Sequence, residues 1–191
     1  MTDTICDRHD VGRPVVASEQ AFSGKVVNVR IDQVQLSSGS DPVQRDVVEH
    51  PGAVAVVAVN DQREVAFIQQ YRHPAQAELW EIPAGLLDQT GEAPATCAAR
   101  ELYEETDLEA ERYTELLSLF LSPGGSDEKI TIFLAEGISP AAQRFERSEE
   151  EAEFELTWVP LDEAVTAVLD GRITNATSAV AVLAVARRFG V

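Results

Sequence analysis

The chain has 191 residues, 45% of them apolar, which is enough for one compact domain whose core needs no disulfide or metal staple. Its 33 acidic residues outnumber the 15 basic ones and leave a net charge of −18. That balance argues against a nucleic-acid surface, which needs a basic stripe, and against anionic membranes, while a phosphate-bearing partner stays open if cations bridge the two negative bodies. No apolar run reaches the roughly 18 residues of a membrane span. The start, "MTDTICDRHDVGRP", lacks the basic, apolar and small-residue regions of a secretory signal. Two cysteines, Cys6 and Cys97, make no disulfide framework, and a cytoplasmic setting fits. His9, His50 and His73 have no ligand-like spacing, so a His-based zinc site is not expected.

Residues 1–20 are expected to be a flexible tail. From Phe22 the chain reads as strands. "KVVNVRIDQVQL" is followed by the turn composition "SSGSDP", then by "QRDVVEH", which Pro51-Gly52 ends. "AVAVVAV", Ala53 to Val59, is an apolar run of strand length and predicts a buried central strand. Asn60-Asp61 turns the chain into "EVAFIQQYR". Pro83 and Gly85 mark a loop, and residues from about Ala93 to Thr106 predict a helix that is Ala-rich, free of internal Gly and Pro, and opened by Pro94. "ELLSLFL", a Pro-Gly-Gly turn at Pro123 to Gly125, and "KITIFLAEG" come next. An acidic loop, "RSEEEAE", precedes the strand "FELTWVP". Two helices close the chain, "LDEAVTAVLDG" with Gly171 at its end, and Asn175 to Phe189. Many strands, a middle helix, more strands and terminal helices describe a mixed α/β (α+β) fold, not the regular alternation of a doubly wound sheet.

The middle helix poses a question. Glu101 and Glu105 are four residues apart and share one face, with Glu104 beside them, and like charges at this spacing weaken a helix. Either the face is solvated, as is common in an acidic chain, or a cation sits against it. A row of hard oxygen ligands suits Mg²⁺ or Mn²⁺, which is often held by one or two carboxylates, waters and the substrate's phosphates. Arg100 can offset part of the charge by pairing with Glu104 or Glu92.

The context favours the cation. "RELYEETDL" resembles the core of the Nudix box, G-x5-E-x7-R-E-U-x-E-E-x-G-U, through Arg100, Glu101, Leu102, Glu104, Glu105 and Leu108, with Glu92 in register upstream. Two departures stand out. Six residues, not five, separate Gly85 from Glu92, and Asp107 replaces the second glycine at the expected helix end, where Asp tolerates a left-handed backbone better than most residues. "WEIPAG", "QYR", "GRITNATS" and Pro123, sixteen residues past Asp107, are similar to the ADP-ribose pyrophosphatase branch.

The resemblance implies an α/β/α sandwich of mixed sheets over residues 53–191. It also implies an N-terminal antiparallel β segment, residues 21–52, that packs on a second subunit, so a homodimer is expected. The implied reaction is Mg²⁺-dependent (Mn²⁺ possible) hydrolysis of ADP-ribose to AMP and ribose 5-phosphate. The implied metal ligands are Glu101 and Glu105, Glu104 assisting, and the Ala84 carbonyl; Glu92 and Arg100 hold loop and helix together. Glu151 is the favoured water-activating residue among Glu149, Glu150, Glu151 and Glu153. Arg72 is a candidate phosphate contact, with Glu81, Arg45 and Ser126 as further substrate contacts. Two rival readings share the fold: a hydrolase of another nucleotide sugar such as GDP-mannose, and an ADP-ribose sensor without turnover.

Overall fold

The computed structural model describes residues 5–147 and 155–191. The chain divides into two compact units, Met1–His50 with Ser122–Asp127, and Pro51–Leu121 with Glu128–Val191. The first holds an antiparallel sheet in the order β1-β2-β3, built from β1 (Val15–Ser23), β2 (Asn28–Val34) and β3 (Val43–Glu49). Strand β1 begins at Val15, within the stretch expected to be a tail. All nine of its residues are exposed, so no in-and-out hydrophobic alternation marks it. Pairing with β2, from Val15↔Val34 to Ser23↔Asn28, makes it a strand.

A polar cluster braces this sheet. The Ser18 hydroxyl donates to Asp32 Oδ1 at 2.7 Å, Arg30 Nε donates to Asp32 Oδ2 at 2.9 Å, and Arg30 Nη1 reaches Glu49 at 2.6 Å. Asp32 is buried, and the Ser18 hydroxyl, then the Arg30 guanidinium, hold its carboxyl below the usual carboxylate range. The 122–127 loop docks on β3, where Val48 N–H donates to the Gly125 carbonyl and Asp127 N–H to the Val48 carbonyl.

The second unit is built around β4 (Ala53–Ala58), whose six residues are all buried. It lies in a sheet of order β7-β4-β9-β8, parallel to β9 (Lys129–Pro140) and antiparallel to β7 (Ala84–Leu86), with β8 (Leu108–Phe120) at the far edge. Alternate residues of β4 face two different cores. Ala55 and Val57 join Ile132 and Leu134 of β9 and the buried faces of α2 (Leu161–Leu169) and α3 (Ala176–Phe189). Val54 and Val56 join Phe133 and Ala135 and the buried face of α1 (Pro94–Thr106), namely Cys97, Ala98 and Leu102. A strand buried on both faces reads as a continuous apolar run, which is why "AVAVVAV" was legible. With helices on both faces, the unit is the expected α/β/α sandwich.

A second antiparallel sheet, β10-β5-β6, combines β5 (Glu64–Arg72), β6 (Ala77–Glu81) and β10 (Thr157–Pro160). Strand β7 falls where the sequence suggested a loop, and β6 lies in a stretch given no element. Each is short and flanks Pro83, and pairing with β5 and β4 sets their extended backbone. Helix α2 ends at Leu169 with Asp170 as its cap, and Gly171 follows at a φ of 73°. Among the described residues no helix is long and apolar enough to cross a membrane.

The braced Asp32 carries a pH signature. Its pKa is lowered on folding, so its contribution is present above the unfolded value of about 4 and is lost as pH falls through the lower folded value. Acid titration of the first unit's fold, followed by circular dichroism, is expected to show a shallower loss of stability below about pH 4 in Asp32→Asn than in the wild type.

Candidate active site

The site is assembled in the second unit where β7 meets α1. Two bonds fix the approach to β7. The Val56 N–H donates to the Pro83 carbonyl at 2.8 Å, and the Ile82 N–H donates to the buried Ser178 hydroxyl of α3 at 3.0 Å. The register Ala55↔Ala84 and Val54↔Gly85 then lays Ala84 and Gly85 along β4. Helix α1 starts with Pro94 in its first turn and has no side-chain cap. Its apolar face must cover β4, and that rotation carries Glu101 and Glu105 inward with Ala98 and Leu102, leaving the two carboxylates only 8% and 6% exposed.

Buried carboxylates are costly unless they are paired or hydrogen-bonded. Glu105 Oε2 accepts the Ala84 N–H at 3.0 Å. Glu101 fits because residue 85 has no side chain, since a Cβ on Gly85 would lie 2.0 Å from the Glu101 carboxyl carbon. Arg100 supplies the positive charge. Its Nη1 meets Glu101 at 2.7 Å and Glu104 at 2.9 Å, while Nε and Nη2 hold Glu92 at 3.1 and 3.0 Å. Hydrogen bonds to Glu92 lead the causes that raise the Arg100 pKa, and the same bonds lower that of Glu92. One guanidinium thus serves three carboxylates, which leaves the group around it net negative. Burial pushes the thiol of Cys97, beside it, up to about 12, which disfavours the reactive thiolate form.

Among the described residues no three His, Cys, Asp or Glu side chains form a closed metal-binding group. The arrangement instead offers neighbouring hard-oxygen donors on one helix face, in a group with surplus negative charge. That suits a cation whose coordination shell is completed by water and phosphate oxygens.

The other sequence candidates fall in separate places. Arg72 and Glu81 form one unit, with Nε and Nη2 of Arg72 on the Glu81 carboxylate, the shortest contact being 2.6 Å. Glu81 is buried while the Arg72 side chain is 42% exposed, so the guanidinium has the solvent-facing side of the pair. Arg45 and Ser126 line a cavity of about 380 Å³ in the first unit, with Asp32, Asp46 and Asp127. Glu149, Glu150, Glu151 and Glu153 lie outside the described residues. Sequence reasoning gave no separate role to Ser178, the last residue of "GRITNATS", which ties α3 to the residue before Pro83, and missed Arg147, which binds the end of α1 through Asp107 at 2.8 Å. Each partner is distant in sequence, so neither contact has a local signal.

A NUDIX domain matches residues 49–179, and the chain belongs to the Nudix family. An ADP-ribose pyrophosphatase of Mycobacterium tuberculosis is 44% identical over 170 residues, covering 89% of this chain and 81% of its own length. Two Bacillus proteins, a methanol dehydrogenase activator of B. methanolicus and an ADP-ribose pyrophosphatase of B. subtilis, are each 39% identical over 167 residues, covering 87% of this chain and 89% of theirs. The crystal structure of an ADP compounds hydrolase shares the fold, with a TM-score of 0.77 and 21% identity over 93% of this chain and 94% of that one.

The fit of Glu101 against Gly85 gives a direct prediction. Gly85→Ala is expected to displace the Glu101 carboxylate, weaken Mn²⁺ binding at least about tenfold and destabilise the fold by about 1–3 kcal/mol, as overpacking does. Isothermal titration with Mn²⁺ and a thermal melt measure the two effects.

Proposed function

We propose that this Nudix chain hydrolyses the pyrophosphate bond of ADP-ribose, giving AMP and ribose 5-phosphate. The observation that carries the reading is the pair Glu101 and Glu105, buried side by side against Ala84 and Gly85. The strong likeness to ADP-ribose pyrophosphatases over most of the chain supports the choice of substrate.

Nudix hydrolases generally use divalent metal ions. In this reading Glu101 and Glu105 hold the cation, Glu104 and the Ala84 carbonyl assist, and Mg²⁺ or Mn²⁺ is the ion that such oxygen donors suit. When bound, the ion neutralises the pyrophosphate and lowers the pKa of a bound water. The chain's own groups do the rest. Arg100 stays with Glu92 and keeps the loop before α1 on the helix. Arg72, oriented by the buried Glu81, presents its guanidinium to a phosphate. Arg45 and Ser126 are further substrate contacts, supported by the cavity they share. Glu151 is assigned to take the proton of the attacking water, from its place in the sequence. Water adds to one phosphorus, the bridging P–O bond breaks, and the departing phosphate carries the electron pair.

The first unit's sheet is assigned to a homodimer interface. Its edge strand β1 is exposed along its whole length and presents Val15, Val16 and Phe22, each more than half exposed. Such apolar residues on an open strand edge are a template for pairing unless covered.

The test is product formation from ADP-ribose and, in parallel, GDP-mannose, with Mg²⁺ present or chelated. AMP and ribose 5-phosphate are expected only with metal, and Glu105→Gln is expected to lower kcat by at least about 100-fold. Cleavage of GDP-mannose with ADP-ribose left intact overturns the substrate. Binding of ADP-ribose without cleavage overturns the hydrolase reading in favour of a sensor. Sedimentation equilibrium is expected to give a dimer, and a monomer at micromolar concentration contradicts the assigned interface.

A further inference from the structure

Helix α1 ends at Thr106, and the next residue departs from the Nudix box. Asp107 stands where the box has glycine, and it adopts the left-handed backbone, φ 56° and ψ 29°, that glycine takes freely. Its side chain makes bonds that glycine cannot. Oδ1 accepts the Phe145 N–H at 2.7 Å, and Oδ2 pairs with Arg147 Nη2 at 2.8 Å. The Asp107 carbonyl accepts the Ala141 N–H at 2.8 Å. Arg147 Nε reaches on to the Glu104 carbonyl at 2.7 Å, and the Phe145 ring meets Tyr103 edge-on, centroids 5.7 Å apart.

These contacts converge on the last turn of α1. The final carbonyls of a helix have no intrahelical partner and carry the negative end of its dipole. The last turn contains no basic residue of its own, and Arg147, 43 positions beyond Glu104, supplies both a donor and a positive charge. The pair is well shielded, with the Arg147 and Asp107 side chains 18% and 23% exposed. The turn so held carries Glu104 and Glu105.

The geometry points to Asp107 and Arg147 as positioning residues that clamp residues 141–147 onto the end of α1 and so fix Glu104 and Glu105 at the cation site. The consequence for rate rests on the pyrophosphatase reading above, whereas the clamp itself is measured without substrate. A glycine at 107 satisfies the backbone and leaves Phe145 and Arg147 without their partner. Asn keeps an acceptor for the Phe145 N–H and removes the charge.

The experiment compares wild type with Asp107→Gly, Asp107→Asn and Arg147→Met. It reads Mn²⁺ affinity by electron paramagnetic resonance without substrate, amide hydrogen exchange at Phe145, thermal stability, and ADP-ribose kinetics at saturating Mg²⁺. Asp107→Gly and Arg147→Met are expected to bind Mn²⁺ several-fold more weakly. Their kcat is expected to fall about 10- to 100-fold with KM within about threefold, as misplacement of a reacting group does. Phe145 exchange is expected to quicken in Asp107→Gly, and Asp107→Asn to recover part of kcat. Wild-type Mn²⁺ affinity and kcat in a folded Asp107→Gly overturn the inference, as does a loss in all variants that merely tracks melting temperature. If the wild type cleaves no ADP-ribose, the functional reading fails separately. Mn²⁺ affinity then decides the clamp, weaker binding in Asp107→Gly sustaining it and unchanged binding overturning it.

Discussion

The structure depends on keeping two carboxylates of one helix, Glu101 and Glu105, beside each other in a buried position. Alone this is unfavourable twice over, because like charges four residues apart repel and buried charges lose their hydration. Three local features offset it. Gly85 leaves room for the Glu101 carboxylate, the Ala84 N–H binds Glu105, and Arg100 brings its guanidinium to Glu101 while holding Glu92 and Glu104. The remaining surplus negative charge supports the proposed cation site.

The rest of the second unit is the scaffold for that arrangement. Strand β4 is buried on both faces, so α1 packs on one side and α2 and α3 on the other, and neither layer can turn without opening a core. The same strand pairs with β7 and so sets the height of Ala84 and Gly85 relative to the helix. From the opposite layer, Ser178 of α3 accepts the Ile82 N–H. Two hydrogen bonds on consecutive residues, at Ile82 N–H and the Pro83 carbonyl, thus link β7's approach to the α3 layer and to the central strand β4.

What was legible in the sequence follows from burial. Strand β4 showed as an apolar run, and β9 as the largely apolar "KITIFLAEG", because Ile130, Ile132 and Leu134 face one core while Phe133 and Ala135 face another. Helix α1 was marked by Pro94 and its Ala-rich interior, and the carboxylates by their spacing. Strand β1 was not legible, since neither of its faces is covered within the chain. The first half of β8 was hidden for another reason: Leu108, Ala110 and Tyr113 pack on a core, but the exposed Glu109, Glu111 and Arg112 interrupt any pattern. Pairings made by tertiary structure were also invisible. The β5–β6 hairpin brings Arg72 to Glu81, and Asp107 finds Arg147 across 40 positions. The residue type at 107 announced only a left-handed backbone, whereas its side chain has work of its own.

The central claim is that the Glu101 and Glu105 carboxylates, set against Ala84, are a cation site. Anomalous diffraction at the manganese edge, from crystals grown with Mn²⁺, tests it most directly. The account predicts a peak within about 2.0–2.6 Å of carboxylate oxygens of Glu101 and Glu105. A peak elsewhere, or none at a concentration that supports hydrolysis, contradicts it.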